Sequence, residues 1–241
     1  MRLLLGSGGL RSEARRAVYF EEMRQHFEGC DEVIFIPYAS ANHAESTSSM
    51  CRFSAPSGVN MRGIESFKDP CAAIAQAQGL YVGGGNTFLL TQSLHENGLI
   101  DIVRQRVSDG MPYMGVSAGA NVACPTMQTT NDMPIVEPPS FETFALVSFQ
   151  INAHYHDGSI WLKEGDHFQQ HFGETRAQRI QEFHEHNNCP VLGLWEGAFL
   201  RWGDDSGVLI GGSATVFQPQ SEPVTYPEGT VFDSDLITRP C

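Results

Sequence analysis

A serine flanked by glycines, Gly115-Val116-Ser117-Ala118-Gly119, follows the apolar run Tyr113–Val116 and precedes a stretch of helical composition. A serine at a sharp strand-to-helix turn has an exposed hydroxyl, and glycines on both sides let the backbone make the turn. Free N–H groups at the start of the following helix favour a developing oxyanion. The chemistry offered is nucleophilic attack on an acyl carbon. The bland alternative is a small-residue turn closing a strand onto a helix.

A hydroxyl needs a base within hydrogen-bond reach. Six of the nine histidines lie between His154 and His186. His154 follows Ala145–Asn152, which reads as a strand, so it would stand at a strand end as Ser117 does; His156 is its rival. The base needs an acceptor to fix its tautomer. Glu196 ends the apolar run Val191–Trp195 beside Gly197, where a charge is costly unless paired. An Arg or Lys partner would explain it equally well. The order Ser, His, Glu differs from the Ser, acid, His order of α/β-hydrolases.

The elements that must carry these residues alternate along the chain. Strands are expected at Leu3–Leu5, 33–37, Leu80–Val82 and Tyr113–Val116, with another at 59–65. Helices are expected at 12–28, 43–54, from Asp69-Pro70 to about Gln78, Phe88–His95, about 99–108 and 174–186. Asp69 is the N-cap and Pro70 the first helical residue of the third helix. Such alternation implies an α/β fold with a doubly wound, mostly parallel sheet, whose ligands bind beyond the carboxyl ends of the strands. From about residue 190 the chain turns β-rich, which suggests an antiparallel C-terminal edge. No linker or repeat divides it, so residues 1–241 are expected to form a single domain.

Composition narrows the function. Fifteen basic against 28 acidic residues give a net charge of −13, which excludes a nucleic-acid partner, since that needs clustered Lys and Arg. No apolar run reaches the roughly 18 residues of a membrane span. The start is too short for a signal peptide, and six scattered cysteines read as free thiols in a reducing cytosol. A cytoplasmic protein, monomer or homodimer, is expected. Gly6-Ser7-Gly8-Gly9 lacks the third glycine of a dinucleotide fingerprint and reads as a plain turn. His167 and His171 are four apart, but the carboxylate of HExxH is missing, so a solvated histidine-rich surface is expected and no metal site. Cys124 is expected to be buried.

Several runs together resemble the serine peptidase family that contains peptidase E and cyanophycinase. They are Val82-Gly83-Gly84-Gly85-Asn86-Thr87-Phe88, Gly115–Asn121, Ala123–Thr126, Thr129–Val136, Gln150–His154 and Gly173-Glu174-Thr175-Arg176. The resemblance extends from the first strand to about Gly197, and is weakest in 38–60 and in the last forty residues. It implies a flavodoxin-like sheet similar to class I glutamine amidotransferases, and a Ser117–His154–Glu196 triad. It also implies hydrolysis of Asp-X dipeptides with a free amino terminus, with no metal or organic cofactor.

On that basis the oxyanion falls to the N–H groups of Gly85 and Ala118, and the triple glycine Gly83-Gly84-Gly85, lacking Cβ, lets backbone approach the substrate closely. Arg176 would hold the substrate's β-carboxylate in bidentate fashion, unless it is a surface arginine paired to Glu174. Asn86 and Asp132 are assigned to the substrate site, with Asp132 either binding the α-ammonium or bracing the pocket. The segment 155–172 is longer than in the family and would overhang the site as a loop, altering substrate range. Two alternatives stay open: a related peptidase acting on isoaspartyl or cyanophycin-derived peptides, and a non-catalytic binding domain.

Overall fold

A computed structural model describes residues 1–158, 161–170, 173–204 and 206–233. The first half runs β1 (Leu3–Gly6), α1 (Glu13–His26), β2 (Val33–Ile36), α2 (His43–Ser54), β3 (Met61–Gly63), α3 (Pro70–Gln76) and β4 (Leu80–Val82). It continues with α4 (Thr87–Glu96), α5 (Leu99–Ser108), β5 (Tyr113–Val116) and α6 (Ala118–Asn121). The second half holds β6 (Gln150–Tyr155), β7 (Trp161–Glu164), β8 (His167–Gln170), α7 (Arg176–His186) and β9 (Val191–Trp195). It ends with β10 (Phe199–Gly203), β11 (Ser206–Ile210), β12 (Ala214–Phe217), β13 (Val224–Tyr226) and β14 (Val231–Asp233).

Strands β1, β2, β4 and β5 are buried along their whole length, as expected of parallel strands covered on both faces. Side chains alternate between the two layers. Leu3 and Leu5 pack with Val103 and Leu200, whereas Leu4 packs with Tyr19 and Met23. Helices begin where side chains satisfy free N–H groups: Ser12 accepts from Arg15, Asp69 from Ala72 and Asn86 from Leu89.

The large sheet has the order β14-β11-β10-β1-β5-β4-β2-β3, parallel from β1 to β3 and antiparallel from β1 out to β14. The antiparallel edge is therefore real, but it does not take up every late strand. β9 pairs parallel with β6, and both join β12 and β13 in a second sheet, β13-β12-β9-β6.

Three local expectations change. Residues 145–149 are not a strand: the N–H groups of Phe144, Ala145 and Leu146 bond to the carbonyls of Val122, Cys124 and Ala123. Those contacts replace a ladder, and the strand begins only at Gln150. The 155–172 segment contains a hairpin, β7 against β8, all of whose eight residues are exposed; residues 159, 160, 171 and 172 of that expected loop lie outside the described residues. Finally, Cys30, Cys51, Cys71 and Cys124 are free, but Cys189 is disulfide-bonded, which corrects the all-thiol reading; Cys241 lies outside the described residues. Among the described residues, no helix is long and apolar enough to cross a membrane.

Candidate active site

Ser117 follows β5 with φ 58° and ψ −114°, a conformation that costs about 1–3 kcal/mol and persists only when the surroundings impose it. Here they do. Its N–H donates to the Gly6 carbonyl of neighbouring β1 at 2.9 Å. Gly119 packs on the carbonyl of Val82, and Gly115 on the carbonyl of Gly119, so that a Cβ at either position would overlap backbone. The two glycines of the motif thus allow β4, β5 and the turn to lie close together. A Cβ on Gly84 would lie 3.0 Å from Ser117 Cβ, so the glycine turn after β4 abuts the serine. The helix that follows is a single turn, so any anion stabilisation there comes from individual N–H groups more than from a macrodipole. The N–H groups of Gly85 and Ala118 donate to no backbone carbonyl among the described residues.

His154 stands on β6 of the other sheet, where the register with β9 shifts between Asn152 and Tyr155. This irregularity, with φ 57° at His154, re-aims the side chain out of the ladder. His154 Nε2 lies 2.8 Å from Ser117 Oγ, and Nδ1 lies 2.8 Å from Glu196 Oε1. Glu196 follows β9, and its partner is the imidazole rather than an arginine or lysine. A carboxylate accepting the Nδ1 proton leaves Nε2 with a lone pair facing the hydroxyl. The His154 and Glu196 side chains are 37% and 41% exposed, so the pair is open to an incoming ligand. His156 is exposed. His167 sits on β8 and His184 bonds the Cys189 carbonyl; His171 lies outside the described residues.

Arg176, at the start of α7, donates from Nη1 to the Ala153 carbonyl at 3.0 Å, immediately before His154. Burial lowers its pKa, while the nearby carboxylates of Glu196 and Asp132 raise it. Glu174 pairs with Arg179 instead. Asp132 Oδ2 accepts from the Thr87 N–H, the Thr87 hydroxyl and the Thr130 hydroxyl, at 2.8, 2.6 and 3.1 Å. Asn86 caps α4 through Oδ1 and donates from Nδ2 to the Met133 carbonyl. Its amide therefore holds the glycine turn in place.

The turn Gly6-Ser7-Gly8-Gly9, a plain turn from the sequence, forms the floor of the site. Ser7 is fully buried; its hydroxyl accepts from the His154 N–H at 2.8 Å and donates to the Leu194 carbonyl at 2.9 Å. Gly8 (φ 130°) lies against the His154 ring, and a Cβ there would be 2.6 Å from Cε1. Gly9 (φ 77°) lies against Glu196, whose Oε2 is buried with no hydrogen-bond donor. The signal available in the sequence was position: this run ends a parallel strand at its carboxyl end, where sites in such sheets form.

The model of peptidase family S51 matches residues 2–210. The chain belongs to peptidase family S51. Among similar proteins is a peptidase E of Streptomyces coelicolor, 48% identical over 177 residues, 73% of this chain and 70% of that one. A probable alpha-aspartyl dipeptidase of Drosophila melanogaster is 40% identical over 216 residues, 87% of this chain and 85% of that one. The fold is similar to the crystal structure of a peptidase from an acI-B1 actinobacterium, with a TM-score of 0.69 at 16% identity, covering 96% of both chains.

Proposed function

We propose that this chain, a serine-type dipeptidase of family S51, cleaves dipeptides with amino-terminal aspartate through an acyl-enzyme on Ser117. The observation carrying this reading is the unbroken hydrogen-bond chain from Ser117 Oγ through the His154 ring to Glu196. Ser117 Oγ attacks the carbonyl carbon of the Asp residue while its proton passes to His154 Nε2. Glu196 stabilises the imidazolium, and the N–H groups of Gly85 and Ala118 receive the oxyanion. Collapse breaks the C–N bond as Nε2–H protonates the leaving amine. A water, deprotonated by His154, then adds to the ester carbon; the bond to Ser117 Oγ breaks, free aspartate leaves, and His154 returns the proton to Ser117 Oγ. No metal or cofactor enters this sequence, and the cytoplasm is the expected compartment.

Arg176 supplies the cation for the β-carboxylate. One guanidinium nitrogen is anchored on Ala153, which leaves the remaining donors to fork onto a carboxylate. Asp132 braces Thr87 with Oδ2, and Oδ1 is left for the substrate's α-ammonium, beside Asn86. A panel of Asp-X, isoAsp-X, Glu-X and amino-blocked Asp-X compounds tests the assignment. Turnover should concentrate on free Asp-X; equal turnover of blocked peptides would contradict it, and preference for isoAsp-X would favour the related acidic-peptide activity. Arg176→Ala should erode discrimination for Asp over neutral amino-terminal residues, and unchanged selectivity would reject its role.

A further inference from the structure

Beside Asp132 opens a pocket of about 380 Å³ whose walls include Phe88, Met127, Phe141 and Phe183, near the lower end of the volumes, about 300–1,000 Å³, typical of ligand sites. Ser117, His154, Glu196 and Arg176 do not line it, but three connections lead from its walls toward them. Asp132 bonds Thr87, two residues after Gly85. Asn131 donates to the Ala153 carbonyl at 2.9 Å, the same oxygen that anchors Arg176. On α7, Arg176, Arg179 and Phe183 follow at spacings of three and four, so one helix face runs from Arg176, anchored on Ala153 next to His154, to the pocket.

Part of the polar lining of the pocket already has partners. Asp132 Oδ2 accepts three hydrogen bonds, and Arg179 is paired with Glu174. Apart from Asp132 Oδ1 and the exposed Glu182, what remains for a ligand is apolar: the edge-on Phe88–Phe141 pair, the Phe183 ring and the buried Met127. A dipeptide has two side chains. If the acidic one goes to Arg176, this pocket is left for the other.

We propose that the pocket receives the side chain of the residue after Asp and selects large apolar ones there, Phe, Leu or Met. The inference rests on the Asp-X assignment and extends it to the second residue. Aromatic walls suit such a group because burial and edge-to-face packing act together.

The test is the kcat/KM ratio of Asp-Phe to Asp-Gly, a ratio insensitive to partial loss of folded protein. The wild-type ratio should exceed about tenfold, since even one apolar group in a fitted pocket is worth about 10–200-fold. Phe183→Ala, and separately the half-exposed Phe141→Ala, should lower it about tenfold. Asp-Gly turnover with no preference for Phe, or variants that leave the ratio unchanged, would overturn this proposal alone. Preference for Asp-Lys or Asp-Arg would likewise overturn it in favour of a cation held by Asp132 and Glu182. Failure to cleave any Asp-X compound would bring down the underlying assignment, and the pocket's role with it.

Discussion

In the proposed mechanism the Ser117 hydroxyl forms the acyl bond. Ser117→Ala should lower kcat about 10³-fold or more, because triad members act as a unit. Phosphonofluoridate should label the wild type at Ser117; an unlabelled, folded wild type would count for a binding module. Gly9→Ala tests a subtler demand. The added methyl meets the Glu196 carboxylate, at a φ that L side chains rarely adopt, and displacement of a catalytic group by about 1 Å can cost about 10²-fold. A variant with wild-type kcat would show that Glu196 tolerates the shift. The meeting of Ser117, His154 and Glu196 was legible because each is a polar residue closing an apolar run. Gly8 and Gly9 were not. A glycine required for the side chain it lacks is recognisable only once the opposing His154 and Glu196 arrive from the other sheet, more than 140 residues further on.

Among the elements, α1 carries a group that ties stability to acidity. His26 ends the helix, where a cation is ordinarily favoured, yet burial, reinforced by the charge of Arg2, lowers its pKa to about 3. Nε2 has no partner. Above pH 6.5 the ring is neutral whether folded or unfolded, so no stability is lost there. Below it the unfolded chain binds a proton that the folded chain refuses, and stability falls by about 1.4 kcal/mol per pH unit until about pH 3. Urea midpoints should therefore drop more steeply between pH 7 and 5 for the wild type than for His26→Phe; identical slopes would refute the assignment. Most elements were readable from period and caps. The errors fell where tertiary bonds decide the backbone, as at Ala145, which sits at φ 51° and bonds the Cys124 carbonyl instead of a strand. The hairpin of β7 and β8 is exposed on both faces, and so lacks the alternation that marks a half-buried strand.

At the scale of the whole molecule, the sheet alternation was visible in the sequence but its division into two sheets was not, because the parallel pairing of β6 with β9 joins segments some forty residues apart. Across that division, the buried Ser7 hydroxyl links the end of β1 to β6 and β9. Ser7→Ala would leave the His154 N–H and the Leu194 carbonyl without their partner, at about 1–3 kcal/mol for each stranded group. A lower melting temperature and a reduced kcat should appear together, and a variant matching the wild type in both would remove Ser7 from the site's support.

Since Ser117 rides on one sheet while His154 and Glu196, its proposed partners in catalysis, ride on the other, warming has a seam to loosen before either sheet melts. Hydrolysis should fade several degrees below the loss of far-ultraviolet ellipticity, leaving an enzyme that is still folded by circular dichroism but idle. Coincident curves would mean that the two halves part only when everything does.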